Sequence, residues 1–209
     1  MAYPVLLQVT GRLVLIIGGG QVAARKARTL LTEGAQVIIV SPTLDPTLID
    51  APIVWRSEYY QAALLDELQP FLVFAATHCT HTNHQIAQDA RHRHLWVDVV
   101  DDPSMSDFTN MATVQRGPIT FAISTDGASP ALTVHLRAQI EALFGTEYTI
   151  LASWLAQLRP HIQQTLTDPA DRQRLWHTII ASPILAQLGA GDQSAAQATL
   201  QRLLKEALP

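Results

Sequence analysis

Residues 18–23 read Gly-Gly-Gly-Gln-Val-Ala, the G-x-G-x-x-A spacing with which a chain turns sharply out of a strand into a helix. Each position has a physical reason. Gly18 permits the tight turn, Gly20 lets a pyrophosphate approach the backbone, and Ala23 lets the new helix pack closely on a sheet. The unpaired N–H groups of that helix's first turn then supply an anion site. This predicts dinucleotide binding at the glycine turn and the helix start that follows it. Folds of this kind usually carry an acid at the end of the second strand, but here Val40 is followed by Ser41-Pro42-Thr43. Ser41 or Thr43 can bond a ribose, and Arg25 is the nearest base for a 2′-phosphate, so the residues leave NAD and NADP both open.

Two more places could do chemistry. Asp101 and Asp102 end an apolar strand-like run, where a carboxylate can act as a general base if burial and its neighbour's charge raise its pKa; Asp-Asp-Pro is equally a turn that ends the strand. Residues 124–131, Ser-Thr-Asp-Gly-Ala-Ser-Pro-Ala, combine hydroxyls with a helix start, which suits a substrate carboxylate or simply caps a helix. His78, His81 and His84 are spaced by three, yet with no fixed acidic or thiolate partner except Cys79 they read as a polar loop entering a helix, and no metal site is expected. Other chemistries lack their residues. No Gly-Lys pair exists for a P-loop, and the residues four before the only lysines, Lys26 and Lys205, are Val22 and Gln201, which excludes a Tyr-x-x-x-Lys dehydrogenase pair.

The elements that must position these groups follow from periodicity. Short apolar runs at 13–17, 36–40, 53–55, 71–74 and 95–100 alternate with helical stretches at 22–33 and up to about Arg91. Such runs suit a parallel sheet buried on both faces, so the predicted class is α/β, a Rossmann-type doubly wound sheet. Beyond Asp101-Asp-Pro103 a polar stretch leads to a strand at 119–124 and a helix from Ser129-Pro130 to about Phe144. The remainder reads as helical, with breaks at Asp168-Pro169 and at 189–192 before a last helix at 195–207. The chain has 209 residues, 48% of them hydrophobic and 15% charged, enough to bury roughly 70% of its unfolded surface. A net charge of −4 argues against a nucleic-acid partner. One cysteine excludes an internal disulfide; with no cationic leader and no apolar run of membrane length, a cytoplasmic location is expected.

Taken together the motifs resemble the precorrin-2 dehydrogenase, or sirohaem synthase N-terminal, family. The residues that carry the resemblance are Gly18-Gly-Gly20-x-Val22-Ala23-x-Arg25-Lys26-Ala27, Ala75-Ala-Thr77 with Asn83, and Val97-x-Val-Val-Asp101-x-Pro103. They continue with Asp107-Phe108, Arg116-Gly117 and Ile123-Ser-Thr-x-Gly127-x-Ser129-Pro130-Ala-Leu132. The resemblance implies NAD-dependent oxidation of precorrin-2 to sirohydrochlorin, in some members followed by insertion of ferrous iron or cobalt as the metal substrate. It implies a Rossmann domain at 1–112, a small dimerisation segment at 113–145 and a helical C-terminal domain at 146–209, with the active site formed in a homodimer.

By the same resemblance Asp101 is the acid/base, with a part in metal insertion as well, and Gly18 to Val22 with Pro42 and Thr43 hold the dinucleotide. Ser124 and Thr125 belong to the tetrapyrrole pocket, while Arg116, Arg137 and the Ser129 helix start are expected to meet the substrate's carboxylates. The chain departs from the family at His78 and Cys79, where acids are common, at Asp98 for Asn, and at Met111 for Pro; these departures bear on metal insertion more than on dehydrogenation. No methyltransferase domain is present, so a separate protein is expected to supply precorrin-2. Two alternatives stand beside this reading: a metallochelatase without redox activity, and a non-enzymatic dinucleotide-sensing module.

Overall fold

A computed structural model describes residues 3–208, in two compact units that divide between Asn110 and Met111. The first unit runs β1 (Leu13–Ile17), α1 (Gln21–Thr32), β2 (Gln36–Val40), β3 (Val54–Arg56), α2 (Ala63–Leu68), β4 (Leu72–Ala75), α3 (Thr80–His92) and β5 (Trp96–Val99). All five strands are parallel, in the order β3-β2-β1-β4-β5. This is the doubly wound sheet expected from the periodicity, with strand ends displaced by a residue or two. The chain order reverses beside β1, because β2 and β4 flank it, and open α/β sheets bind ligands at the carboxyl ends of the strands at such a point.

The continuous apolar runs are explained by burial on both sides. Val14 and Ile16 pack with Ala23, Ala24 and Ala27 of α1 on one face. Leu15 and Ile17 pack on the other with Leu64 and Leu65 of α2 and Ile86, Ala87 and Ala90 of α3. Each such Val, Leu or Ile is worth roughly 1.5–3 kcal/mol of burial. Helix α2 had no counterpart in the periodicity, since its six residues are too few to display one; Leu64 and Leu65 are what dock it.

One ion pair is enclosed in this hydrocarbon. Lys26 Nζ of α1 lies 2.5 Å from Asp98 Oδ2 of β5, their side chains 12% and 7% exposed, and 4.7 Å from the centre of the Phe74 ring. It ties the helix that starts at the glycine turn to the strand that leads into the Asp101 turn.

The second unit starts with a hairpin, β6 (Ala112–Arg116) antiparallel to β7 (Ile119–Ile123). Strand β6 falls in the stretch read as merely polar, because Thr113, Gln115 and Arg116 mask a five-residue strand whose buried residue is Val114. Then follow α4 (Pro130–Leu143), α5 (Thr146–Thr165), α6 (Pro169–Ala181), α7 (Ile184–Gly189) and α8 (Gln193–Ala207). The expected break at Asp168-Pro169 is a helix start, with Asp168 accepting from the Ala170 amide. A further break at Ser182-Pro183 separates α6 from α7. Leu151, Ile162, Leu175, Ile179, Ile184, Leu200 and Leu203 form this unit's core. Helix α4 buries none of its 14 residues and leaves Leu132, Val134 and Leu143 exposed. No described helix is long and apolar enough to cross a membrane.

Candidate active site

The glycine turn sits at the carboxyl end of β1, and its three glycines do different things. Gly18 has φ +115°, its N–H donates to the Val40 carbonyl at 2.9 Å, and a Cβ there would run into the Ala76 carbonyl after β4. At Gly19 a Cβ would strike the Thr43 carbonyl and the Ser41 side chain. Gly20 is the N-cap of α1 with an ordinary φ of −85°, and a Cβ there meets nothing within 4 Å among the described residues. Packing therefore demands glycine at 18 and 19. At Gly20 the space in front of the helix's first amides lies open, and the unpaired amides of a first helical turn are donors that suit an anion.

The loop after β2 closes against this turn. Ser41 is buried and its carbonyl accepts the Trp55 Nε1–H at 2.9 Å, while Pro42 and Thr43 are exposed. Asp45 donates its amide to the Gly19 carbonyl at 2.7 Å, and its carboxylate caps the following 3-10 turn by accepting from the Thr47 amide at 2.9 Å. The Thr47 hydroxyl holds that carboxyl below the usual carboxylate range. The sequence signal for this cap is Asp followed by Pro46. Gln21 and Arg25 are exposed on α1, and Val22 is half-buried.

Across the reversal point, buried Asn83 organises the loop from β4 to α3. Its Oδ1 accepts the Thr77 amide at 3.1 Å and hydroxyl at 2.7 Å, and its Nδ2 donates to the Thr77 carbonyl at 3.0 Å. The three histidines do not assemble. Helix α3 starts only at Thr80, so His78 lies outside it, and His84 is engaged elsewhere. No metal-binding group of three or more His, Cys, Asp or Glu exists among the described residues. Cys79 is exposed at the N-cap, its thiol pKa lowered chiefly by the Thr82 hydroxyl.

The two aspartates after β5 have opposite fates. Asp102 Oδ1 accepts from the Ser104 amide (3.2 Å), the Ser104 hydroxyl (2.6 Å) and the Met105 amide (3.3 Å), and Oδ2 takes His84 Nε2 at 2.7 Å. These bonds, that from the Ser104 side chain foremost and then that from His84, hold the Asp102 carboxyl below the usual carboxylate range. Asp101 is exposed, and its side chain makes no hydrogen bond among the described residues. Its φ of +63° is a left-handed conformation that Asp tolerates better than most residues. The partial burial considered for Asp101 is absent in the single chain, whose turn leaves it facing solvent.

In the second unit Ser129 caps α4, accepting the Leu132 amide at 3.2 Å, with Pro130 at the first helical position. The Thr125 hydroxyl lies 3.1 Å from that of Thr133 and accepts the Ser129 amide at 3.4 Å. Ser124 is exposed and takes the Asp126 amide at 3.1 Å. Arg116 is turned onto the end of α4, donating from Nε to the Phe144 carbonyl at 2.6 Å and from Nη2 to the Glu141 carbonyl at 3.1 Å. Arg137 pairs with Glu141 at 2.9 Å on the exposed side of the same helix.

Three family models match the chain in succession. An NAD(P)-binding model covers residues 5–112, a sirohaem biosynthesis protein central model covers 116–143, and a sirohaem synthase dimerisation region covers 147–204. The sirohaem synthase of Nitrosospira multiformis is 34% identical over 210 residues, and that of Tolumonas auensis 37% over 192. These alignments take in 97% and 91% of this chain but 44% and 41% of those proteins, so the chain spans less than half the length of the curated relatives it matches. Among solved structures it is similar to SirC, a precorrin-2 dehydrogenase, with a TM-score of 0.77 and 25% identity over 96% of this chain and 100% of that one.

Proposed function

The chain belongs to the sirohaem synthase family, and from that premise we propose that it oxidises precorrin-2 to sirohydrochlorin with NAD. What carries the proposal is the pairing, along the carboxyl ends of one sheet, of an open glycine cradle at Gly20 with the unpaired carboxylate of Asp101. NAD supplies the hydride acceptor. The oxidation also releases a proton from the macrocycle, and Asp101 takes it at a carboxylate oxygen. Asp102 suits that task less, since the bonds its oxygens accept from Ser104 and His84 favour the ionised form and make it the weaker base.

Gly18 to Val22 with Pro42 and Thr43 hold the dinucleotide, and Asn83 keeps the opposite loop in place through Thr77. The tetrapyrrole, rich in carboxylates, meets the Ser124 and Thr125 hydroxyls, the Ser129 helix start and Arg137. Arg116 contributes through the N–H groups that its helix-capping bonds leave free.

The working unit is a homodimer in the cytoplasm. The exposed apolar side chains of α4 need cover, which a second copy supplies. Within the division at 1–112, 113–145 and 146–209, the segment 113–145 contributes the hairpin and this helix, and the 147–204 region matching the dimerisation model adds to the same assembly.

Anaerobic mixing of the protein with fresh precorrin-2 and NAD, without metal, tests the reading through the absorbance of reduced cofactor. Reduction is expected; none with either NAD or NADP, beside intact metal insertion, would leave a chelatase instead. Gly20→Ala gives a sharper test of the cradle. The added methyl meets no protein atom, so stability falls by at most about 1 kcal/mol, the N-cap preference for Gly over Ala. Dinucleotide affinity falls on the order of tenfold or more, because the methyl occupies the phosphate's approach. Calorimetric titration beside a thermal melt measures both, and unchanged affinity rejects phosphate binding at Gly20.

A further inference from the structure

We infer that His84 is a positioning residue for Asp101, acting through Asp102. The inference rests on the reading of Asp101 as the proton acceptor. Residues Val99 to Asp102 form a tight turn closed by the Asp102 amide donating to the Val99 carbonyl at 3.2 Å, and Asp101 is its third residue, with φ +63°. How the Asp101 carboxylate is presented therefore depends on how firmly the closing residue is held. The Ser104 and Met105 bonds to Asp102 Oδ1 are local: they tie the carboxylate only to the residues just after the turn, and they open once the side chain is free to move. The Val100 amide ties the first half of the turn to the end of β4 by donating to the Ala75 carbonyl at 3.0 Å, and two groups hold the closing residue. Ser106 Oγ, which the Val99 amide also reaches at 2.9 Å, donates to the Asp102 carbonyl at 2.9 Å, and His84 holds the side chain at Oδ2.

His84 is the stiffer anchor for the side chain because α3 beneath it is docked in the core by Ile86, Ala87 and Ala90. An ionised carboxylate only accepts, so the 2.7 Å contact requires the hydrogen on Nε2, and the imidazole donates to Asp102 in either of the ring's charge states that carry it. With 38% and 27% of the two side chains exposed, the bond is too wet to add much global stability. Its effect is geometric. It stops the turn from swinging, and misplacing a reacting group by about 1 Å costs on the order of 100-fold in rate.

The test uses the full chain, with His84→Leu, which removes the donor, His84→Gln, which restores an N–H of similar reach, Asp101→Asn, and the His84→Leu/Asp101→Asn pair. Steady-state kinetics with precorrin-2 and NAD are read beside hydrogen exchange at the Ser104 and Met105 amides. In His84→Leu, kcat is expected to fall on the order of 10–100-fold with KM for NAD unchanged. Exchange at the two amides rises roughly tenfold or more, and His84→Gln recovers most of both. The double variant is no slower than Asp101→Asn alone, since His84 acts only through the carboxylate already removed. Unchanged exchange in His84→Leu overturns the clamp whatever the kinetics do. Faster exchange with unchanged kcat, or losses that add in the double variant, overturns the positioning role. If Asp101→Asn alone runs at the wild-type rate, it is the reading of Asp101 that fails, and the catalytic role of His84 fails with it.

Discussion

Asp101→Asn is expected to lower kcat by on the order of 10²–10⁴-fold while leaving NAD affinity and the melting temperature unchanged. The magnitude is that of losing one well-placed general base. The substitution suits this position because Asn accepts the left-handed φ of +63° as readily as Asp does, so the turn survives and only the proton acceptor is lost. Asp101→Ala would mix the lost base with backbone strain. Binding is expected to be spared, since the glycine turn proposed to hold the dinucleotide follows β1 and Asp101 follows β5. Single-turnover reduction of NAD by precorrin-2, with separate titration of NAD, makes the measurement. A rate within twofold of wild type, at any pH where the protein is folded, excludes Asp101 as the base.

The second large effect is on stability. Lys26→Met leaves the Asp98 carboxylate enclosed without its cation, which typically costs about 3–5 kcal/mol. Methionine fills similar volume and keeps a favourable contact with the Phe74 ring, so little of the loss comes from packing. Lys26→Met combined with Asp98→Leu removes both charges and is expected to recover much of the deficit, because an apolar pair of comparable volume needs no desolvation. Urea melts decide it. The single variant lowers the midpoint with an unchanged slope, and the double variant climbs back. A loss below about 1 kcal/mol in the single variant shows that water reaches Asp98 and that the pair behaves as a surface one.

The glycine turn, the five apolar runs and the Ser129-Pro130 helix start were all legible in the sequence, because each expresses a rule of short range. Turn geometry selects glycine, two-sided burial selects unbroken apolar residues, and a helix start selects a capping hydroxyl. What escaped is of two kinds. Strand β6 and helix α2 are too short to show a period, and are held by Val114 and by Leu64 and Leu65 against the rest of the chain. Asn83 and Lys26 were visible as residues of a motif and Asp98 as a departure from one, but their roles depend on partners 6 and 72 positions away.

The same distinction separates the two aspartates. By periodicity alone Asp101 and Asp102 are equivalent carboxylates at a strand end, and it is the family resemblance that singles out Asp101. Asp102 is committed because Ser104, two residues on, and His84, 18 residues back, donate to it, and Asp101 is left free. The sequence by itself determined the doubly wound sheet and the glycine turn at the end of its first strand, since both follow from local periodicity and glycine geometry. Only the tertiary structure decided which glycine is required by packing and which faces open space, and which aspartate's carboxylate is taken up by hydrogen bonds. Those answers depend on atoms that folding brings close from distant parts of the chain.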